Sequence, residues 1–236
     1  STQKGSGMIS LLNFIAHNFP SPLGHVEWTN DENGEHVDMP ISSDGDASAY
    51  VFKTTIDQFT GKLSFIKVGT GVIKTDMELT NPEIKKKEKI GKVYRAVGKK
   101  LVETDSLNAG DIGIIAKSNI SATNCTLLQN PNTQKFTYKP LALPDPIYSL
   151  AISTDDKKSA DKLNDSLHKV CEEDLTFQTK FNKETKESVI SGMGDVHLQI
   201  ILDKIAEKQK IKVHTKLPKI AYRETINKKS GIVEYA

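Results

Sequence analysis

Cysteine is scarce here: Cys125 and Cys171 are the only two in 236 residues. Far apart in sequence, they suggest neither a disulfide framework nor a zinc pattern, and a reducing compartment is the expected setting. Arginine is as rare, with Arg95 and Arg223 alone among 32 basic side chains. Arginine makes the bidentate contacts that read guanine edges, whereas lysine is a mobile point charge suited to phosphates. Any nucleic acid bound by this chain is therefore expected to be read through shape and backbone. No apolar run approaches the roughly 20 residues that a membrane-spanning helix needs, so no membrane partner is expected. A phosphate cradle of the form G-x-x-x-x-G-K-[ST] is missing too, since Gly61-Lys62 is followed by Leu63 and Gly91-Lys92 by Val93. Asn119, Asn124 and Asn164 sit in glycosylation sequons, but without a signal peptide ahead of them modification is not expected.

A 37% hydrophobic, 26% charged composition describes a soluble globular chain of one or two domains, and two are expected. The net charge of +2 is too small to argue for a polyanion partner by itself. Met8, Leu11, Leu12 and Ile15 mark one face of a short amphipathic helix from Met8 to Phe19, closed by Pro20-Ser21-Pro22. Gly34 to Ala47 is rich in Asp, Ser and Gly and reads as exposed loop. The D-x-x-G spelling at Asp31-Glu32-Asn33-Gly34, with no strand expected ahead of it, is set aside as chance. Ala49–Ile56, Lys62–Val68, Val72–Leu79, Lys92–Leu101 and Ile112–Ala116 read as short strands at regular spacing, the pattern of an antiparallel barrel or sandwich.

Pro140, Pro144 and Pro146 stiffen a linker, and Ile147–Ile152 opens a second domain. Ala160, Leu163, Leu167, Val170 and Cys171 share a helical face. Phe177–Phe181 and Ser188–Ile190 form a hairpin through Asn182-Lys183-Glu184-Thr185. At Gly192-Met193-Gly194 a strand turns into a helix, with Asp195 in the first turn where a carboxylate favours the dipole. Val196, Ile200 or Ile201, and Ile205 recur at helical spacing, and Ile211, Val213 and Leu217 then alternate as a half-buried strand. The order is βαββαβ, the ferredoxin-like plan. The fold class expected is thus α+β: an antiparallel β-barrel followed by a ferredoxin-like domain.

The wording around that corner, Ser191-Gly192-Met193-Gly194-Asp195-Val196-His197-Leu198-Gln199-Ile200 followed by Pro218 and Ala221 to Thr225, resembles the third domain of the elongation factor G family. Asp57, Gly61-Lys62-Leu63, Val68, Gly71 and Ala109-Gly110-Asp111-Ile112-Gly113 resemble the β-barrel second domain of translational GTPases. Val97-Gly98-Lys99-Lys100 is shorter than the corresponding run of the main factor and is similar to an elongation-factor-G-like branch. The resemblance implies domains at residues 1–30 (last helix of the nucleotide-binding domain and a linker), 31–139 (barrel), 140–217 (ferredoxin-like) and 218–236 (linker and start of a following domain). Val233–Ala236 looks like the middle of an element, and the chain is expected to be a middle fragment. The resemblance further implies a parent GTPase using GTP and magnesium, working in the cytoplasm on the ribosome, chiefly on small-subunit ribosomal RNA. For the fragment itself no catalytic, cofactor or metal site is expected.

Among candidate site residues, Lys53, Lys62 and Lys99 are singled out as contacts to RNA phosphate, since docking on RNA gains affinity from counterion release. Basic runs at Lys85-Lys86-Lys87, Lys99-Lys100 and Lys228-Lys229 otherwise read as solvated surface. Gly192, Met193, Gly194 and His197 form a candidate interdomain or ribosome-facing corner, the plainer alternative being a histidine bonding nearby backbone. A phosphate-binding turn at the same corner would lack the further glycine of a dinucleotide site. Glu172-Glu173-Asp174 reads as a cap or turn rather than a cation site. Three other functions stay open: a ribosome-recycling or ribosomal-protection factor of the same superfamily, a freestanding RNA-binding module, and an enzyme acting on a small anion at the Gly-Met-Gly corner.

Overall fold

The computed structural model describes residues 2–57, 59–222 and 224–225, and the chain divides into two units, Ser1–Ala142 and Leu143–Ala236. The first unit starts with a 3-10 turn, Thr2–Lys4, and helix α1, Met8–Asn18. The expected helix is present, but none of its residues is buried. The next elements are β1 (Val26–Asp31) and β2 (His36–Pro40), a hairpin where the sequence suggested loop. Asp31 shapes its turn, one carboxylate oxygen accepting the Asn33 and Glu35 amides at 2.8 Å each. The boundary expected at residue 30 thus falls inside β1.

The long hairpin of β3 (Ser48–Asp57) and β4 (Gly61–Thr70) dominates the unit. Alternation buries Ala49, Val51, Ile66 and Val68 on one face. A register shift between Val51 and Lys53 inserts a bulge and increases the local twist. The strand expected over 72–79 is two strands, β5 (Val72–Lys74) and β6 (Glu78–Asn81), because Asp76 takes φ 62° and turns the chain. β7 is Lys86–Lys89. The strand expected over 92–101 is likewise a hairpin, β8 (Val93–Val97) and β9 (Lys100–Thr104), turning at Gly98 with φ 60°. β10 (Ser106–Asn108), β11 (Ile112–Ala116), β12 (Cys125–Leu128) and β13 (Phe136–Tyr138) complete the unit.

The main sheet is antiparallel in the order β7-β6-β12-β3-β4-β11-β8-β9, with β10-β5 and β13-β1-β2 as smaller sheets. Side chains from both larger elements and connections, including Ile73, Leu79, Ile90, Leu107 and Leu127, fill one apolar core in barrel fashion. Fully burying each such side chain contributes roughly 1.5–3 kcal/mol. At its end the unit holds the linker: Leu141 donates its amide to the Tyr50 hydroxyl and to Asn124 Oδ1, both at 3.3 Å, and accepts from Asn124 Nδ2 at 3.0 Å.

The second unit runs β14 (Tyr148–Ser153), α2 (Lys157–Glu173), β15 (Gln178–Asn182), β16 (Glu187–Gly192), α3 (Asp195–Gln209) and β17 (His214–Lys216). Its sheet has the order β15-β16-β14-β17 with every pairing antiparallel, as the ferredoxin-like plan requires. Asp156 caps α2 by accepting the Ser159 amide at 2.9 Å, which favours the charged carboxylate and holds its pKa low. Leu163 and Leu167 of α2 meet Phe177, Ile190 and the buried stripe of α3. That stripe is Leu198, Ile201, Leu202 and Ile205, while Val196 is 65% and Ile200 48% exposed. Of the expected face, Ile201 and Ile205 therefore enter the core, while Val196 and Ile200 point away from it. Leu217 is exposed as well, since β17 ends at Lys216. The Ile147 amide donates to Gly192 O at 3.0 Å just ahead of β14. Lys228-Lys229 and Val233–Ala236 lie outside the described residues.

Candidate functional site

At the corner between β16 and α3, Gly192 is required by crowding. A Cβ there would lie 2.7 Å from Leu198 Cδ2 and 2.9 Å from His197 Nδ1. Gly194 has open space around it and an extended backbone with φ 170°. His197 closes the corner: its Nδ1 accepts the Met193 amide at 3.1 Å, so the ring proton sits on Nε2 and is donated to Asp174 Oδ2 at 2.9 Å. Asp174 Oδ1 in turn accepts the Thr176 amide at 2.8 Å and hydroxyl at 2.6 Å. Partial burial raises the Asp174 pKa, but the Thr176 donors and His197 outweigh it and hold the carboxyl below its ordinary range.

The corner, the end of α2 and the start of β15 are thus joined by one set of hydrogen bonds, with every partner named satisfied. A small-anion turn finds the Met193 amide already occupied by His197. Ser191, the nearest hydroxyl in sequence, shares a bond of 2.8 Å with Ser149. Asp174 acts as the cap and turn residue that its acidic cluster suggested, with the histidine bonding backbone as in the plainer reading.

Of the three lysines singled out from sequence, Lys53 and Lys62 lie on the β3–β4 hairpin. Lys53 is paired with Phe65 and Lys62 with Ile56 in the β3–β4 ladder, and the odd separation of 53 and 56 puts them on opposite faces. Lys53 lies 5.6 Å from the Phe65 ring centre. Lys99 occupies the turn of the β8–β9 hairpin. Of the basic runs, Lys87 pairs with Glu78 at 2.7 Å and Lys85 forms a turn with φ 53°.

Burial lifts the Cys125 thiol to about 12 and also raises Cys171, so neither is an activated nucleophile. Among the described residues no cluster of three or more His, Cys, Asp or Glu is placed to hold a metal ion, and no helix is long and apolar enough to cross a membrane. Glu187 was missed by sequence reasoning. Only 8% exposed, it meets Lys216 Nζ at 2.7 Å and accepts the Lys219 amide at 2.9 Å. A lone glutamate opening a strand carries no signal of such burial.

Comparison with known proteins agrees with these two units. Residues 46–130 match the family described as elongation factor G domain 2, and residues 143–217 match elongation factor G, domain III. Elongation factor G from Chlamydia trachomatis serovar D is 32% identical over 233 residues, and that of serovar A gives the same figures. Each alignment covers 98% of this chain and 33% of the relative, so the chain spans about one third of the length of the curated relatives it matches. A crystal structure from Thermus thermophilus shares the fold with a TM-score of 0.69 at 24% identity, over 91% of this chain and 30% of that one. With both domain models matched in order along the sequence, the chain belongs to the elongation factor G family of translation factors and carries its second and third domains.

Proposed function

We propose that this chain is the ribosome-docking and coupling portion of a cytoplasmic GTPase that promotes GTP-dependent translocation of transfer and messenger RNA. The succession of a domain 2 match and a domain III match is the observation that carries this reading. GTP and magnesium belong, in this reading, to a nucleotide-binding domain of the parent, since these 236 residues contain no G-x-x-x-x-G-K-[ST]. The fragment is no enzyme by itself. The barrel contacts small-subunit RNA, and Lys53, Lys62 and Lys99 serve as separate phosphate contacts rather than one patch.

The second unit relays the nucleotide state to the remaining domains. Its Gly192-Met193-Gly194-His197 corner is held rigid by Asp174, and exposed Val196 and Ile200 stand one turn apart beside it. Such a fixed corner with an apolar flank suits contact with another domain of the parent. Coupling of this kind requires two domain arrangements with different affinities.

Co-sedimentation of the 236-residue chain with 70S ribosomes tests the docking half, and absence of saturable binding would overturn it. The tight turn at Gly98-Lys99 favours one second reading, a recycling or ribosomal-protection factor of the same superfamily. Translocation and recycling assays with the full-length parent separate the two.

A further inference from the structure

The second unit's sheet carries both helices on one face, where Ile152 and Ile190 enter the core. Strand alternation sends Ser149 and Ala151, Val189 and Ser191, and Gln178, Lys180 and Asn182 to the other face. Register aligns them in two rungs: Gln178, Ser191 and Ser149 in one, Lys180, Val189, Ala151 and Lys216 in the next. A depression of about 620 Å³ lies over these rungs, with Phe181, Lys183, Glu184 and Pro218 also lining it.

Lysine and neutral polar side chains predominate on this face, with Glu184 beside Lys180 and Lys183 in the lining of the depression. Lys180 and Lys183 form no ion pair with an acid among the described residues. Glu187 lies on this same face, buried, and its charge is met by Lys216, whose side chain stays 57% exposed. Ser149, Ser191 and Gln178 add neutral hydrogen-bonding groups. Asn182 spends its oxygen on the Glu184 and Thr185 amides, which leaves its NH2 to donate outward. Lysine, serine, asparagine and glutamine are the side chains that contact phosphate and sugar oxygens. The apolar side chains lining the depression are Phe181, 57% exposed, Val189 and Pro218, fewer than its polar and charged ones.

We propose that this helix-free face docks the phosphate backbone of RNA, independently of base sequence, an inference that rests on the ribosome-docking role above. The test uses the 236-residue chain and a double variant, Lys180→Ala with Lys183→Ala, against a control pair on the helices, Lys162→Ala with Lys204→Ala. Affinity is measured over a salt series for 70S ribosomes and for protein-free 16S ribosomal RNA, with circular dichroism confirming the fold of each variant.

The expected result is binding of both probes, weakened in the double variant, with the slope of log affinity against log salt reduced by roughly 1.4 to 2. The helix control keeps the wild-type slope. If wild type binds ribosomes and the double variant matches it in affinity and slope, the docking face is refuted while the ribosome role stands. If wild type binds ribosomes but not free RNA, the contact is to ribosomal protein and the RNA assignment falls. If wild type binds neither probe, the ribosome role fails, and the docking face with it.

Discussion

His197 donates from Nε2 to Asp174 Oδ2 across 2.9 Å while its Nδ1 is held by the Met193 amide. In its neutral form the ring is thereby held to the Nε2-protonated tautomer, because a proton on Nδ1 would face another N–H.

This commitment makes Asp174→Asn disruptive. The new amide must present its NH2 either to the His197 N–H or to the Thr176 amide, and either placement sets donor against donor. The loss is expected to be about 1–2 kcal/mol at pH 7, read as a shift of the urea midpoint at unchanged slope. Since the folded pKa of Asp174 lies below the ordinary 3.8, its ionic contribution is complete above that value and is lost as pH falls through the lower folded one. Wild type and variant should therefore begin to converge as pH falls below about 3.8. A gap that persists unchanged to about pH 2.5, well below the ordinary carboxylate range, would show that the charge on Asp174 contributes nothing.

Gly71→Ala should be costly in the barrel. Gly71 has φ 62°, and a Cβ there would sit 2.7 Å from Gly45 O and 2.8 Å from Ala47 N, both backbone atoms that cannot rotate aside. Backbone strain alone is expected to cost about 1–3 kcal/mol. An unchanged thermal midpoint for the first unit would contradict this.

Neighbouring isoleucines of α3 should behave oppositely. Ile201 is 8% exposed and Ile200 48%. Ile201→Ala is expected to lose about 2–4 kcal/mol through cavity formation, and Ile200→Ala to stay within about 0.5 kcal/mol in the isolated chain. Equal effects in chemical denaturation would mean that the helix presents a different face.

Cysteine labelling offers a check on both cores. Alkylation of native protein at about pH 8 should modify Cys171, which is half-buried, faster than Cys125, whose burial lifts its pKa to about 12. Peptide mass spectrometry locates the label, and prior reaction at Cys125 would indicate local opening of β12.

Where apolar alternation was strong the architecture could be read directly from the sequence. β3, β4, β11 and the whole second unit declare themselves through Val51, Ile66, Ile115, Leu167 and Ile190. β7 could not, since Lys-Lys-Glu-Lys has no apolar side chain and is held by its ladder to β6. β2 exists because its backbone pairs with β1, and Thr29 is buried with its hydroxyl on Val37 O. β12 is buried along its length and shows no alternation to detect. Asp76 broke an expected strand because a left-handed aspartate looks like any other until the backbone is seen. At the corner, glycine and histidine were visible as a motif, but the partnership with Asp174, 23 residues earlier, depends on the fold. The opposite faces of Lys53 and Lys62 could not be read beforehand, because the face a residue takes in a bulged ladder depends on register.

The anchoring of Leu141 to Tyr50 and Asn124, and of Ile147 to Gly192, leaves Ala142, Leu143, Pro144, Asp145 and Pro146 as the span between the two anchors. Proline locks φ at both Pro144 and Pro146, and Leu143 and Asp145, each preceding a proline, are pressed toward extended backbone. The span therefore keeps fewer freely rotating backbone bonds than five residues without proline would have, and replacing both prolines by glycine would restore them.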